Sequence, residues 1–177
     1  SASEAERKRV FALASSVAIL AQGVPFIHAG QEFMRSKGGD ENSYKSPDSV
    51  NSLKWNEREK NADMVSYFKG LLEIRRDNPV FRLATTNEVK RQLKFAATTP
   101  DVIAYSLDAS GQKNGVKRLF VIHNSSKQTK IVKLPIKAAW KTLAQGYQAK
   151  ASGVGGARTI ASVTVAPQST VVLSSTR

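Results

Sequence analysis

Apolar residues recur at helical spacing near the start of the chain, at Val10, Leu13, Val17 and Leu20, with alanines and serines between them. This period predicts a helix over residues 3–21. Ser3 followed three residues later by Glu6 matches the pattern in which each side chain satisfies a free N–H of the first turn. Gly23 stops the helix, and the many small residues around its circumference imply close packing on more than one side. Residues 24–29, VPFIHA, form a short apolar run without polar alternation, which predicts a buried strand of a parallel sheet covered on both faces. Pro25 is acceptable at the first position of such a strand. The chain then turns polar until about Asn61. A connection of roughly 30 residues far exceeds the usual two to six, which marks it as functional. Met64, Tyr67, Phe68, Leu71, Leu72 and Ile74 share one broad face and predict a second helix over residues 61–77, ended by Asn78-Pro79.

After Phe81 the pattern changes to short β-branched runs at residues 102–107, 118–123, 129–134, 159–165 and 170–173. Turn-forming stretches at 108–111, 124–126, 152–156 and 166–168 separate them. This spacing predicts an antiparallel sandwich. One parallel strand and two helices cannot cover a sheet or close a barrel. Residues 1–80 therefore read as part of a domain, and residues 81–177 as a domain able to fold alone. The chain starts with Ser1, just before a helix cap, so further sequence is expected upstream.

Charge sharpens the division. The 177 residues carry a net charge of +13. Residues 1–80 hold 12 Lys/Arg against 11 Asp/Glu, a net of +1, whereas residues 81–177 hold 15 against 3, a net of +12. The excess raises nucleic acid or another polyanion as a partner. The lysines are scattered, however, and Phe95, Tyr105, Phe120, Trp140 and Tyr147 fall in or beside apolar strands, where a nucleic-acid groove would expose them for stacking. Solvated strand faces account for most of the lysines. No cysteine is present, which excludes disulfide scaffolds, thiol catalysis and thiolate zinc sites; His28 and His123 are too few for a histidine-rich metal site. The longest apolar stretch is too short to span a bilayer.

The stretch GVPFIHAGQEFMRSKGGDENSYKSPDSVNSLKWN, residues 23–56, closely resembles bacterial type I pullulanases, α-1,6-glucan debranching enzymes of the α-amylase superfamily. The likeness extends through YFKGLLEIRRDNPVFR, residues 67–82, and becomes diffuse beyond Arg82. It implies α/β plus all-β architecture: residues 1–82 as the terminal portion of a TIM (β/α)8 barrel (its last helix, strand and helix), and residues 83–177 as a C-terminal antiparallel β-sandwich. Active sites of such barrels lie at the C-terminal ends of the strands, so the long polar loop would face substrate. The resemblance also implies that the Asp nucleophile, the Glu acid/base and the stabilising Asp all precede this chain. A retaining glycosidase needs the first two about 5–5.5 Å apart, so this segment alone should be inactive.

Within the loop, Arg35, Lys37, Asp40, Asn42 and Tyr44 are the candidates for sugar contact. Carbohydrate recognition uses planar amides and carboxylates for paired hydroxyls and an aromatic face for the ring, and these types occur here together. A self-bonded loop with Asx turns is the competing reading. His28 and Glu32 are expected to support the loop without touching sugar; the less favoured alternatives are His28 lining the sugar pocket and Glu32 forming a carboxylate pair with Asp40. Trp55 reads either as a stacking platform or as a loop anchor. No cofactor and no metal is required by any residue of the chain. The expected partners are a branched α-glucan and the upstream part of the same polypeptide, with no specific nucleic acid and no membrane. The alternative is a basic β-sandwich module for glucan or polyanions. Cellular location is left open.

Overall fold

The computed structural model describes residues 3–177. Helix α1, Glu4–Leu20, starts where Ser3 accepts the Glu6 N–H at 3.2 Å. The Glu6 carboxylate pairs with Lys127 at 2.7 Å, tying the helix start to the β region. After α1 come α2 (Asp48–Asn51), α3 (Asn56–Lys60), α4 (Ala62–Asp77) and α5 (Thr86–Gln92). A capping box of Thr85 and Glu88 opens α5. The strands are β1 (Leu93–Phe95), β2 (Val102–Asp108), β3 (Arg118–Asn124), β4 (Lys130–Gln145), β5 (Gln148–Ala149), β6 (Arg158–Val165) and β7 (Ser169–Ser175).

All strand pairs are antiparallel, in the order β1-β2-β3-β7-β4-β5, with β6 added to β4 outside this path. β4 runs twice as long as its neighbours because it serves two layers. Its first part, Lys130 to Trp140, pairs with β6; from Lys141 onward it pairs with β7. The ladder is irregular between Lys133 and Ala138, and Pro135, which has no N–H to donate, sits in that gap.

Alternation along the central strands divides the interior in two. Leu119, Val121, Tyr105, Leu107 and Val172 face α1 and α4, where Ile19, Leu20, Met64, Phe68, Leu71 and Ile74 meet them. Phe120, Ile122, Val102, Ala104, Val171 and Leu173 face the β4–β6 hairpin and its Val132, Leu134 and Trp140. The antiparallel β region expected after residue 83 is therefore present, with a helical layer on one face and the hairpin on the other. Residues 81–177 on their own would lose the cover of the sheet's helix-side face. Gly70 shows how close that cover lies, since a Cβ there would stand 1.8 Å from the Ala149 carbonyl oxygen.

Polar bonds cross the same boundary inside the core. Ser16 Oγ donates to Leu13 O at 2.7 Å, which spends its single proton, so it accepts from Thr170 Oγ1 at 2.5 Å. Thr170 then accepts from His123 Nδ1 at 2.8 Å, which fixes the tautomer of that ring. Burial lowers the His123 imidazole from 6.5 to about 4. The ring is neutral at pH 7 and acts as a donor between β3, β7 and α1.

Residues 24–29 depart from the sequence reading. They form no strand, and Val24 is 96% and Phe26 90% exposed. A parallel strand needs neighbours for its N–H and C=O groups, and among the described residues no strand lies beside this segment in the sheet.

Candidate functional site

The loop begins from a fixed exit. α1 has no basic residue in its last turn, and Arg75 of α4 supplies one from outside. Its guanidinium donates to Ile19 O at 2.9 Å, to Ala21 O at 2.6 Å and to Gly23 O. A cation on the exposed carbonyls also favours the negative end of the helix dipole. Burial lowers the Arg75 pKa from its usual value, but three carbonyl acceptors hold the guanidinium in place. Gln22 adds bonds to Val80 O at 2.8 Å and from Leu83 N at 3.1 Å. The exposed apolar segment therefore leaves from a rigid point.

At Gly30 the chain turns with φ +88°, and a Cβ here would stand 2.8 Å from Arg35 Cδ. Glycine thus lets Arg35 fold back, and its guanidinium donates to Ala29 O at 3.2 Å and to Asn51 O. The turn Gln31–Phe33 buries Phe33, and Gln31 Nε2 reaches Ser15 Oγ of α1 at 3.2 Å. Lys37 Nζ donates to Ser43 Oγ and, at 3.1 Å, to Asn51 Oδ1. Asn51 Nδ2 in turn donates to Ser43 O at 2.6 Å and Ser46 O at 2.8 Å. Asp40 accepts the Asn42 N–H at 3.1 Å with one oxygen and the Ser46 hydroxyl with the other.

The five candidate contact residues therefore separate. Arg35, Lys37 and Asp40 are engaged with the loop itself, in the Asx-turn manner at Asp40. Asn42 and Tyr44 are exposed, and Tyr44 shows 75% of its surface with Lys45 Nζ 5.3 Å from its ring centre. The His28 side chain is exposed, and its backbone N–H donates to Gln31 Oε1 at 3.2 Å. Glu32 lines an open groove of about 570 Å³ together with Ile27, Arg58, Glu59, Phe68, Lys69 and Leu72. Both Asp40 oxygens are bonded inside the loop. Among the described residues no group of three His, Asp or Glu side chains could hold a metal ion.

Two residues that organise this site were absent from the sequence reading. Asn51 is the hub of the loop, but an Asn in a polar stretch carries no mark of that role. Arg75 reads as the charged flank of a helix, and its acceptors lie more than fifty residues away.

The family model for alpha-1,6-glucosidases, pullulanase-type, C-terminal, matches residues 35–176. This chain belongs to that family. It is 39% identical to the pullulanase of Bacillus subtilis (strain 168) over 138 residues, 77% of this chain and 19% of that protein. The pullulanase from Bacillus acidopullulyticus superposes with a TM-score of 0.91 at 31% identity, over 99% of this chain and 21% of that one. A pullulanase from an Anoxybacillus species, solved in complex with maltotriose, gives a TM-score of 0.86 at 33% identity over 98% of this chain and 23% of that one. The chain thus spans about a fifth of the length of these pullulanases. The resemblance carried by the GGDENSY loop and its flanks pointed to the same family. As a pullulanase-type C-terminal region, the chain combines an antiparallel β fold with a helical layer and the loop described above.

Proposed function

We propose that this chain is the C-terminal part of an α-1,6-glucan debranching hydrolase and that its loop, residues 35–44, positions branched α-glucan at the cleavage point. In this reading residues 1–82 complete a catalytic (β/α)8 barrel and residues 83–177 form the C-terminal β domain. The nucleophile and acid/base lie in the upstream part of the same polypeptide and act by double displacement with retention; the 177 residues alone hydrolyse nothing.

The observation that carries this reading is the exposed apolar segment, with Val24 and Phe26 almost fully in solvent, leading directly into a braced polar loop. An apolar run anchored at its start by Arg75 and left uncovered calls for the upstream polypeptide as its cover. Maltotriose in the Anoxybacillus pullulanase gives the ligand class.

The test uses the complete enzyme. Asn42→Ala removes an exposed amide without loosening the loop, and kcat/KM on pullulan falls about tenfold, the worth of one hydrogen bond made in the transition state. Asp40→Ala falls at least as far, because the bonds to Asn42 and Ser46 are lost as well. Unchanged kinetics in both variants would remove the loop from substrate contact.

One observation favours a second reading, a basic module for polyanions: residues 109–177 contain no Asp or Glu and 11 Lys/Arg. Lys133, Lys137 and Lys141 all lie exposed on the outer face of β4. Phosphate contacts predict affinity that drops steeply with added salt, while neutral glucan binding barely changes.

A further inference from the structure

The chain has two tryptophans in opposite settings: Trp140 is 1% exposed in the hairpin core, and Trp55 is 63% exposed. Trp55 has an aromatic packing partner. Its ring leans on Phe33, with centroids 5.9 Å apart and planes at 52°, and Phe33 itself is 1% exposed. Phe33 is fixed in turn, because its N–H donates to Gly30 O at 3.2 Å and its carbonyl accepts from Asn61 Nδ2 at 3.2 Å. The Trp55 carbonyl accepts the Arg58 N–H at 3.1 Å, which sets its backbone in the first turn of α3. Of the two stacked rings Phe33 is the buried one, and the larger ring of Trp55 lies on top of it.

Asn51 connects this platform to the loop. Its side chain grips the carbonyls of Ser43 and Ser46 on either side of Tyr44, and four residues later the same chain reaches Trp55. The hub braces the limb that carries Tyr44, and Trp55, the loop's other exposed aromatic side chain, follows four residues after Asn51. An exposed indole backed by a buried ring suits a ligand with a flat apolar face and polar edges. A glucose unit has that character, with C–H groups on its faces and hydroxyls around its rim.

We propose that Trp55 is a stacking platform for a glucose unit of the substrate chain, positioned by Phe33. The inference rests on the debranching reading and adds a binding residue to it. Maltotriose is titrated onto the 177-residue chain while indole emission is followed. Trp140 is shielded, so an emission change reports Trp55, and Trp55→Phe abolishes it. In the complete debranching enzyme, Trp55→Ala raises KM for pullulan about tenfold while kcat stays within about twofold, and Trp55→Phe restores most of the loss. Two results together would overturn the assignment: maltotriose shifting the Asn42 and Tyr44 amides without any emission change, and Trp55→Ala keeping the wild-type KM. In that case the debranching reading stands. If the complete enzyme does not cleave pullulan, that reading falls, and the emission titration alone decides for or against Trp55.

Discussion

The last turns of α1 and the segment just beyond them lie in contrasting settings. Ser16 of α1 joins Thr170 and His123 in a closed polar chain under the sheet, and Ile19 and Leu20 are fully buried. A few residues on, Val24 and Phe26 stand in solvent. Both regions are apolar in sequence, and only the first has a partner surface. The difference teaches that hydrophobic pattern records what a segment is built to bury against, while local structure forms only where that surface is supplied.

The sharpest way to break this comparison is to remove the helical layer. Without α1 and α4, residues 83–177 expose Tyr105, Leu107, Leu119, Val121, Leu143 and Val172, each at most 7% exposed in the intact fold. At roughly 1.5–3 kcal/mol per large side chain this loss is on the order of 10 kcal/mol, comparable with the whole stability of a domain. The isolated segment is therefore expected to show no cooperative thermal transition. A sharp melt would mean that the β region is autonomous.

A smaller perturbation tests the joint between the regions. Arg75→Leu leaves the carbonyls of Ile19, Ala21 and Gly23 without their shared donor, at a cost of about 3 kcal/mol. The urea midpoint should fall accordingly, and Arg75→Lys should recover only part of it, because an ammonium cannot reproduce the planar fork.

Acid tests the closed side by another route. His123 has a folded pKa of about 4 against 6.5 for the free side chain, so the folded protein binds this proton less readily than the unfolded chain. Its contribution is fully present above about pH 6.5 and is lost as pH falls toward 4, about 3 kcal/mol in all. His123→Gln should therefore flatten the fall in urea stability between pH 7 and 4 relative to wild type. Parallel profiles for the two proteins would show that His123 does not carry this dependence.

Much of the closed region was legible in the sequence. Ser3 gave the start of α1, and the apolar face of Met64, Tyr67, Phe68, Leu71 and Ile74 gave α4 to within one residue. The reciprocal half of the expected Ser3–Glu6 pattern was not legible, because Lys127 takes the Glu6 carboxylate. β4 was read only to Leu134, since Pro135 looks like a strand end and the sequence does not announce an irregularity that accommodates it. The Thr85–Glu88 capping box is legible as Thr followed three residues later by Glu. Residues 24–29 were read correctly as apolar and incorrectly as a buried strand, because burial depends on neighbours that a local pattern cannot show. At the loop, residue types suggested sugar contact at five positions, but which side chains brace the loop depends on Asn51, where nothing local distinguishes the hub.

The most direct measurement is amide hydrogen exchange across the intact chain, resolved by residue. The account predicts that α1, α4, β3 and β7 exchange slowly and together, as one cooperative unit, while the amides of residues 24–29 exchange orders of magnitude faster. Release of α1 and α4 ahead of the sheet, or protection of residues 24–29 as strong as that of β3, would contradict it.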